Sequence, residues 1–199
     1  MALLLTPAPA APETPLRILV LGDSLTAGYG LPASDSFPVK LEAALKAKGV
    51  AATVVNGGVS GDTTAGGLAR LAWMLADPAP QAVIVELGAN DGLRGIDPRT
   101  TRANLDAIMT RLTERKIPVL LAGMRAPPNL GYEFGAAYEA VFADIAKTHD
   151  AIFYPFFLDG VATVLELNLG DRIHPNARGV DVIVERIMPA VERLLQRVR

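Results

Sequence analysis

The chain has 199 residues, a formal net charge of −2, and 50% of its residues are hydrophobic. That length suits one well-buried domain, and the near-neutral charge leaves no large basic surface for nucleic acid. Cysteine is absent, which excludes thiol nucleophiles, thiolate metal sites and disulfides together. No stretch reaches the roughly 18 apolar residues that an integral membrane segment needs.

Residues 1–15 read apart from a domain spanning 16–199. Leu3-Leu4-Leu5 followed by Ala8-Pro9-Ala10 fits the end of a secretory signal with a small-residue cleavage site, which would put the protein in the periplasm or outside the cell. A flexible Pro/Ala leader on a cytoplasmic protein is the other reading.

From Arg17 to Gly22 a short apolar run ends in glycine, the pattern of a buried strand. Four more runs follow, at Ala51 to Asn56, Gln81 to Gly88, Val119 to Gly123 and Ala151 to Tyr154. Between them the apolar residues recur at helical spacing. The faces are Phe37, Leu41, Ala44 and Leu45, then Leu68, Leu71, Ala72 and Leu75, then Leu105, Ile108, Met109 and Leu112. Asp97-Pro98 opens the third helix as an N-cap with proline in the first turn. Phe134, Tyr138, Val141, Phe142 and Ile145 form a fourth face. The last helix starts near Ala177, turns Val180, Ile183, Ile187, Val191, Leu194 and Val198 inward, and should kink at Pro189. Regular alternation of strand and helix predicts an α/β fold with a parallel sheet covered on both faces. Ligands of such sheets bind beyond the carboxyl ends of the strands, so the segments after each strand carry the chemistry.

The first strand runs into Gly22-Asp23-Ser24-Leu25, which places Ser24 as an exposed nucleophile or as the cap of a helical turn. This is neither the G-x-S-x-G elbow nor a phosphate-binding P-loop. Gly28-Tyr29-Gly30-Leu31-Pro32-Ala33 matches G-x-G-x-x-A only formally, because it starts six residues past the strand and contains a proline. Of the two histidines, His149 closes a helix, where it suits the helix C-terminus. His174 lies three residues after Asp171, a spacing that lets the carboxylate hold one ring nitrogen while the other accepts a serine proton. Capping of the final helix explains the same pair. Asn56-Gly57-Gly58-Val59-Ser60-Gly61-Asp62 and Gly88-Ala89-Asn90-Asp91 offer backbone and amide donors for an oxyanion, or ordinary turn chemistry.

Taken together, G-D-S-L at 22 to 25, the glycine at 58, G-A-N-D at 88 to 91 and D-R-I-H-P at 171 to 175 resemble, in order, the four signature blocks of the SGNH (GDSL) hydrolases. The run Val85 to Gly95 looks most like the bacterial thioesterase/arylesterase/lysophospholipase group. One departure is Arg172, where relatives often carry glycine. The resemblance implies a flavodoxin-like three-layer α/β/α sandwich with a five-stranded parallel sheet. It implies a catalytic triad of Ser24, Asp171 and His174, and an oxyanion hole of the Ser24 and Gly58 N–H groups with the Asn90 amide. It implies no metal and no organic cofactor. The expected activity is two-step hydrolysis of aryl or alkyl esters of short to medium acyl chains. Acyl thioesters, lysophospholipids and acetylated carbohydrates are alternative substrates, and a binding module without turnover is the rival from another class. Leu93, Ile96, Leu130 and Tyr132, on the loops 92–98 and 126–135, are candidates to contact a small ester or lipid-like molecule. Tyr132 and Phe134 could equally face the core.

Overall fold

The computed structural model describes residues 15–198; the leader expected over 1–15 lies outside these except for Pro15. Five strands, β1 (Leu16–Gly22), β2 (Ala52–Gly58), β3 (Ala82–Glu86), β4 (Val119–Ala122) and β5 (Ile152–Tyr154), form one sheet in the order β2-β1-β3-β4-β5. Every adjacent pair is parallel. This is the flavodoxin-like order, in which the chain direction of winding reverses between β1 and β3. Seven helices accompany the strands: α1 (Ser24–Ala27), α2 (Phe37–Ala47), α3 (Thr64–Met74), α4 (Ala89–Leu93), α5 (Pro98–Glu114), α6 (Tyr132–Thr148) and α7 (Ala177–Leu195). Helices α2 and α7 pack together on one face of the sheet, and α3, α5 and α6 pack in series on the other. The three layers follow.

With both faces covered, the central strands are apolar throughout. Ile18 to Leu21 of β1 and Ala82 to Val85 of β3 are fully or almost fully buried, as parallel strands between two helical layers must be. Asp97 caps α5 by accepting from the Arg99 N–H, with Pro98 in the first turn. Helix α7 continues through Pro189.

Three details differ from the sequence reading. Strand β3 is shorter at both ends, because Gly88 adopts a φ of 114° and turns the chain out of the sheet. On α3 the buried positions are Thr64, Gly67, Leu71 and Leu75, while Ala72 is exposed. The rotation is set by Gly67, where any Cβ would collide with the Leu87 side chain, so the helix approaches β3 at its glycine. The short helices α1 and α4 carry no amphipathic period, so the pattern could not reveal them.

Candidate active site

The switch point between β1 and β3 is where the fold gathers polar groups. Ser24 leaves the end of β1 and Asn90 the end of β3, and the turn before α7 brings the only Asp–His pair that faces them. Ser24 is not a cap. Asp23 caps α1, its Oδ1 accepting from the Leu25 N–H at 3.0 Å. Ser24 therefore opens the helix, and its N–H has no protein acceptor among the described residues.

The turn from Asn168 to Asn176 presents the histidine by closing on itself. The Leu169 N–H donates to the His174 carbonyl at 2.8 Å and the Arg172 N–H to the Leu169 carbonyl at 2.9 Å. Asp171 Oδ1 accepts from the N–H groups of Ile173 at 2.9 Å and His174 at 3.0 Å. Its Oδ2 lies 2.7 Å from His174 Nδ1, and His174 Nε2 lies 2.9 Å from Ser24 Oγ. The two backbone N–H bonds and the imidazole hold the Asp171 carboxyl down at about 2. Capping of α7 falls instead to Asn176, whose Oδ1 accepts from the Gly179 N–H. Arg172 takes a φ of 62° in this turn, a left-handed conformation that glycine adopts without cost.

Sequence reasoning missed Tyr29, whose ring centroid is 4.4 Å from that of His174. It lies inside the spurious G-x-G-x-x-A match and forms a wall of the imidazole's setting. The other histidine is remote from this chemistry: His149 ends α6, with Nε2 at 2.8 Å from Asp106 on α5.

The donor groups need one correction. The Gly58 N–H is spent on Asn56 Oδ1 at 2.9 Å, and a Cβ at Gly58 would meet the Ala27 N at 2.5 Å. Gly58 is a close-approach glycine against α1, so it cannot also offer its N–H to a ligand. Further along the same segment, the Val59 N–H pairs with the Gly22 carbonyl and the Asp62 N–H with the Val59 carbonyl. The Gly61 N–H has no acceptor among the described residues. Gly61 has a φ of 85°, and its carbonyl is held by Arg94 Nη2 at 2.9 Å. The Ser60 N–H is likewise without an acceptor among the described residues, so the free backbone donors of this turn are at Ser60 and Gly61, past the expected Gly58. On the other side, Asn90 Nδ2 donates to the Asp62 carbonyl at 2.9 Å and to Asp23 Oδ2 at 3.2 Å. Acceptors on both sides fix which end of that amide points inward.

Asp91, next to Asn90, works inside the scaffold: fully buried, it accepts from the N–H and hydroxyl of Thr64 and from the Thr101 hydroxyl. Leu93 lies one turn after Asn90 on α4 and is 51% exposed, so it shares a face with the amide. Ile96 and Leu130 are half-buried on the two candidate loops, which meet where Gly95 faces the Leu130 side chain. Phe134 stacks on the buried Tyr138, whereas Tyr132 is 90% exposed. Of that ambiguous pair, one faces the core and the other faces solvent. Among the described residues no group of three or more His, Asp and Glu side chains is placed to hold a metal ion, and no helix is long and apolar enough to cross a membrane.

Behind the serine lies a second acid. Glu86, the last residue of β3, is fully buried and accepts from the Asp23 N–H at 3.3 Å, and its Oε1 has no partner. Burial, and then the neighbouring Asp23 charge, raise its carboxyl well above the ordinary 4.5. Burial likewise raises Asp23 to about 6, against the pull of the Leu25 N–H and the Asn90 amide. Folded Glu86 keeps its proton to higher pH than the unfolded chain does, so its contribution to stability is full below 4.5 and is lost as pH rises above it. Glu86→Gln removes that loss. Its melting temperature should gain on wild type progressively as pH rises above about 5; a gap that stays constant would show an ionised Glu86.

Residues 20–182 match the GDSL-like lipase/acylhydrolase family. The chain belongs to that family. An arylesterase of Vibrio mimicus is 39% identical over 176 residues, covering 88% of each chain. The thioesterase 1/protease 1/lysophospholipase L1 of Escherichia coli K12 is 40% identical over 173 residues, covering 87% of this chain and 80% of that one. The crystal structure of AlinE4, an SGNH-hydrolase family esterase, superposes with a TM-score of 0.79 at 46% identity, over 93% of this chain and 99% of that one. As a GDSL-like acylhydrolase, the chain has the three-layer fold that its sequence resemblance implied.

Proposed function

We propose that the protein is a carboxylic ester hydrolase acting through a Ser24–His174–Asp171 triad. The observation that carries this reading is the continuous chain Ser24 Oγ···Nε2 His174 Nδ1···Oδ2 Asp171, at 2.9 and 2.7 Å. His174 takes the hydroxyl proton as Ser24 attacks the ester carbonyl, and returns it to the leaving alcohol. Water then enters by the same route and releases the acyl group, restoring the serine. Asp171, ionised down to about 2, keeps the imidazole in the tautomer whose Nε2 accepts.

The negative oxygen of each tetrahedral intermediate is met by the free N–H groups of Ser24 and Gly61 and by the Asn90 amide. The oxyanion competes for the longer Asn90 bond, the 3.2 Å contact to Asp23, while the 2.9 Å bond to Asp62 keeps the amide in place. Full charge develops only in the intermediate, so this contact favours the transition state over bound substrate. Asn90→Ala should therefore lower kcat by roughly 10²–10³-fold with little change in KM. An Asn90→Ala enzyme that melts like wild type and keeps most of its kcat would reduce Asn90 to a turn former.

Acyl groups are assigned to the shallow surface bordered by Leu93, Ile96 and Leu130, which suits short to medium chains. Initial rates on p-nitrophenyl esters of increasing acyl length test this: rates should peak at short to medium chains and fall for long ones. Thioesters proceed by the same steps, and the Escherichia coli relative's name includes a thioesterase. Acyl-CoA and acetylated glycans in the same assay rank these alternatives. Absence of turnover on all of them would leave a binding module.

A further inference from the structure

One partly buried cation near the site has no part in the proton chemistry. Arg70 lies on α3, and its Nε donates to Asp62 Oδ2 at 2.6 Å while its Nη2 donates to the Gly22 carbonyl at 2.9 Å. Both charged side chains of that ion pair are only 18% exposed. The two acceptors belong to different segments. Gly22 ends β1 two residues before Ser24, and Asp62 follows Gly61, a free donor of the loop after β2. Asp62 is also the residue whose carbonyl receives the Asn90 amide. One guanidinium thus ties together the segments that follow β1 and β2, and through Asp62 the one that follows β3.

The planar fork of arginine suits this task because its donors diverge at fixed angles, whereas a lysine ammonium is a point charge. Gly66, one turn before Arg70, supplies the room: a Cβ there would collide with Asp62 Oδ1. The Gly22 carbonyl accepts the Val59 N–H as well, so both of its lone pairs are engaged at the joint.

We propose that Arg70 is a positioning residue, holding the Gly61–Asp62 turn in register with Ser24 so that the donors of the oxyanion pocket converge. Arg70 touches no substrate, and this role rests on the ester-hydrolase reading above. A donor shifted by an ångström loses most of its advantage for the transition state, while substrate binding on the open surface hardly changes.

The test combines Arg70→Met, Arg70→Lys and Asp62→Asn with p-nitrophenyl butyrate kinetics, melting curves and hydrogen exchange. Arg70→Met should lower kcat about 10- to 100-fold with KM within about threefold of wild type. Arg70→Lys should fall between the two, because it restores the charge and not the fork. In an Asn90→Ala background the loss from Arg70→Met should be smaller, because Arg70 positions the Asn90 amide through Asp62, while the Ser24 and Gly61 donors keep part of it. Amides of residues 59–63 should exchange at least about tenfold faster in Arg70→Met, with β1 and β3 protection unchanged. If Arg70→Met does not fold, Arg70→Lys and Asp62→Asn are read on the same scale. A kcat within twofold of wild type with unaltered exchange overturns the proposal, as does a full second loss in the Asn90→Ala background. A wild type that turns over no ester, yet shows the exchange difference, overturns the hydrolase reading and keeps the clamp.

Discussion

Ser24→Ala is expected to lower kcat for ester hydrolysis by about 10⁵–10⁶-fold, the scale of loss when the nucleophile of such a triad is removed. No neighbouring group can replace it. Among the described residues, Ser24 Oγ is the one hydroxyl within hydrogen-bond distance of His174 Nε2, at 2.9 Å. What survives is water attack assisted by the donors that remain, which is why activity falls to a floor rather than to zero. Stability should hardly move, because the cap of α1 is Asp23 and the serine hydroxyl bonds only the imidazole. A melting temperature within a few degrees of wild type is the necessary control. A phosphonate that labels wild type once should leave Ser24→Ala unlabelled by mass spectrometry. Labelling of Ser60, or retention of activity, would remove Ser24 from the mechanism.

The architecture was legible because the local signals agreed with one another. Apolar runs of strand length alternated with helical faces, and β1, β4 and β5 ended within a residue of their expected limits. The Ser24–His174–Asp171 arrangement was legible for a different reason: four short blocks together resembled the family's signatures, while the Asp171–His174 spacing alone fits helix capping as well. The donors were harder. A glycine-rich turn shows that backbone N–H groups will be presented, but which one is free depends on where Asn56 bends back, and that is a matter of side-chain geometry. Asn56 reaches Gly58, so the free donors move on to Ser60 and Gly61. Glu86 could have been noticed, as an acid at the end of the apolar run Ala82 to Val85; a charge in a two-sided buried strand is the informative exception. Arg70 could not. Its partners are 8 and 48 residues away, and no helical period distinguishes an arginine turned toward a strand end from one in solvent.

His174→Ala should match the serine variant in severity, with kcat down by about 10⁵–10⁶-fold, because nucleophile and base fail as a unit. The double variant Ser24→Ala/His174→Ala should then be barely worse than either alone. His149→Ala provides the contrast. Its ring bonds Asp106 between α5 and α6, far in the fold from the switch point. Removing it costs packing and one side-chain hydrogen bond, about 1 kcal/mol. Its kcat should stay within twofold of wild type. The pH profile adds a second discriminant. Asp171 is ionised down to about 2, so its protonation cannot explain activity lost between about pH 7 and pH 4. Asp23, raised to about 6, titrates inside that interval and faces Asn90. Asp23→Asn therefore separates the two remaining causes. Asp23 and His174 feel each other's charge, so the slope of the acid limb decides and its midpoint does not: if Asp23 plays no part, the limb of kcat/KM keeps its slope in Asp23→Asn whatever the shift or the loss in height. A limb that drops from a two-proton to a one-proton slope in Asp23→Asn would mean that the buried acid at the serine, as well as the imidazole, sets the working range.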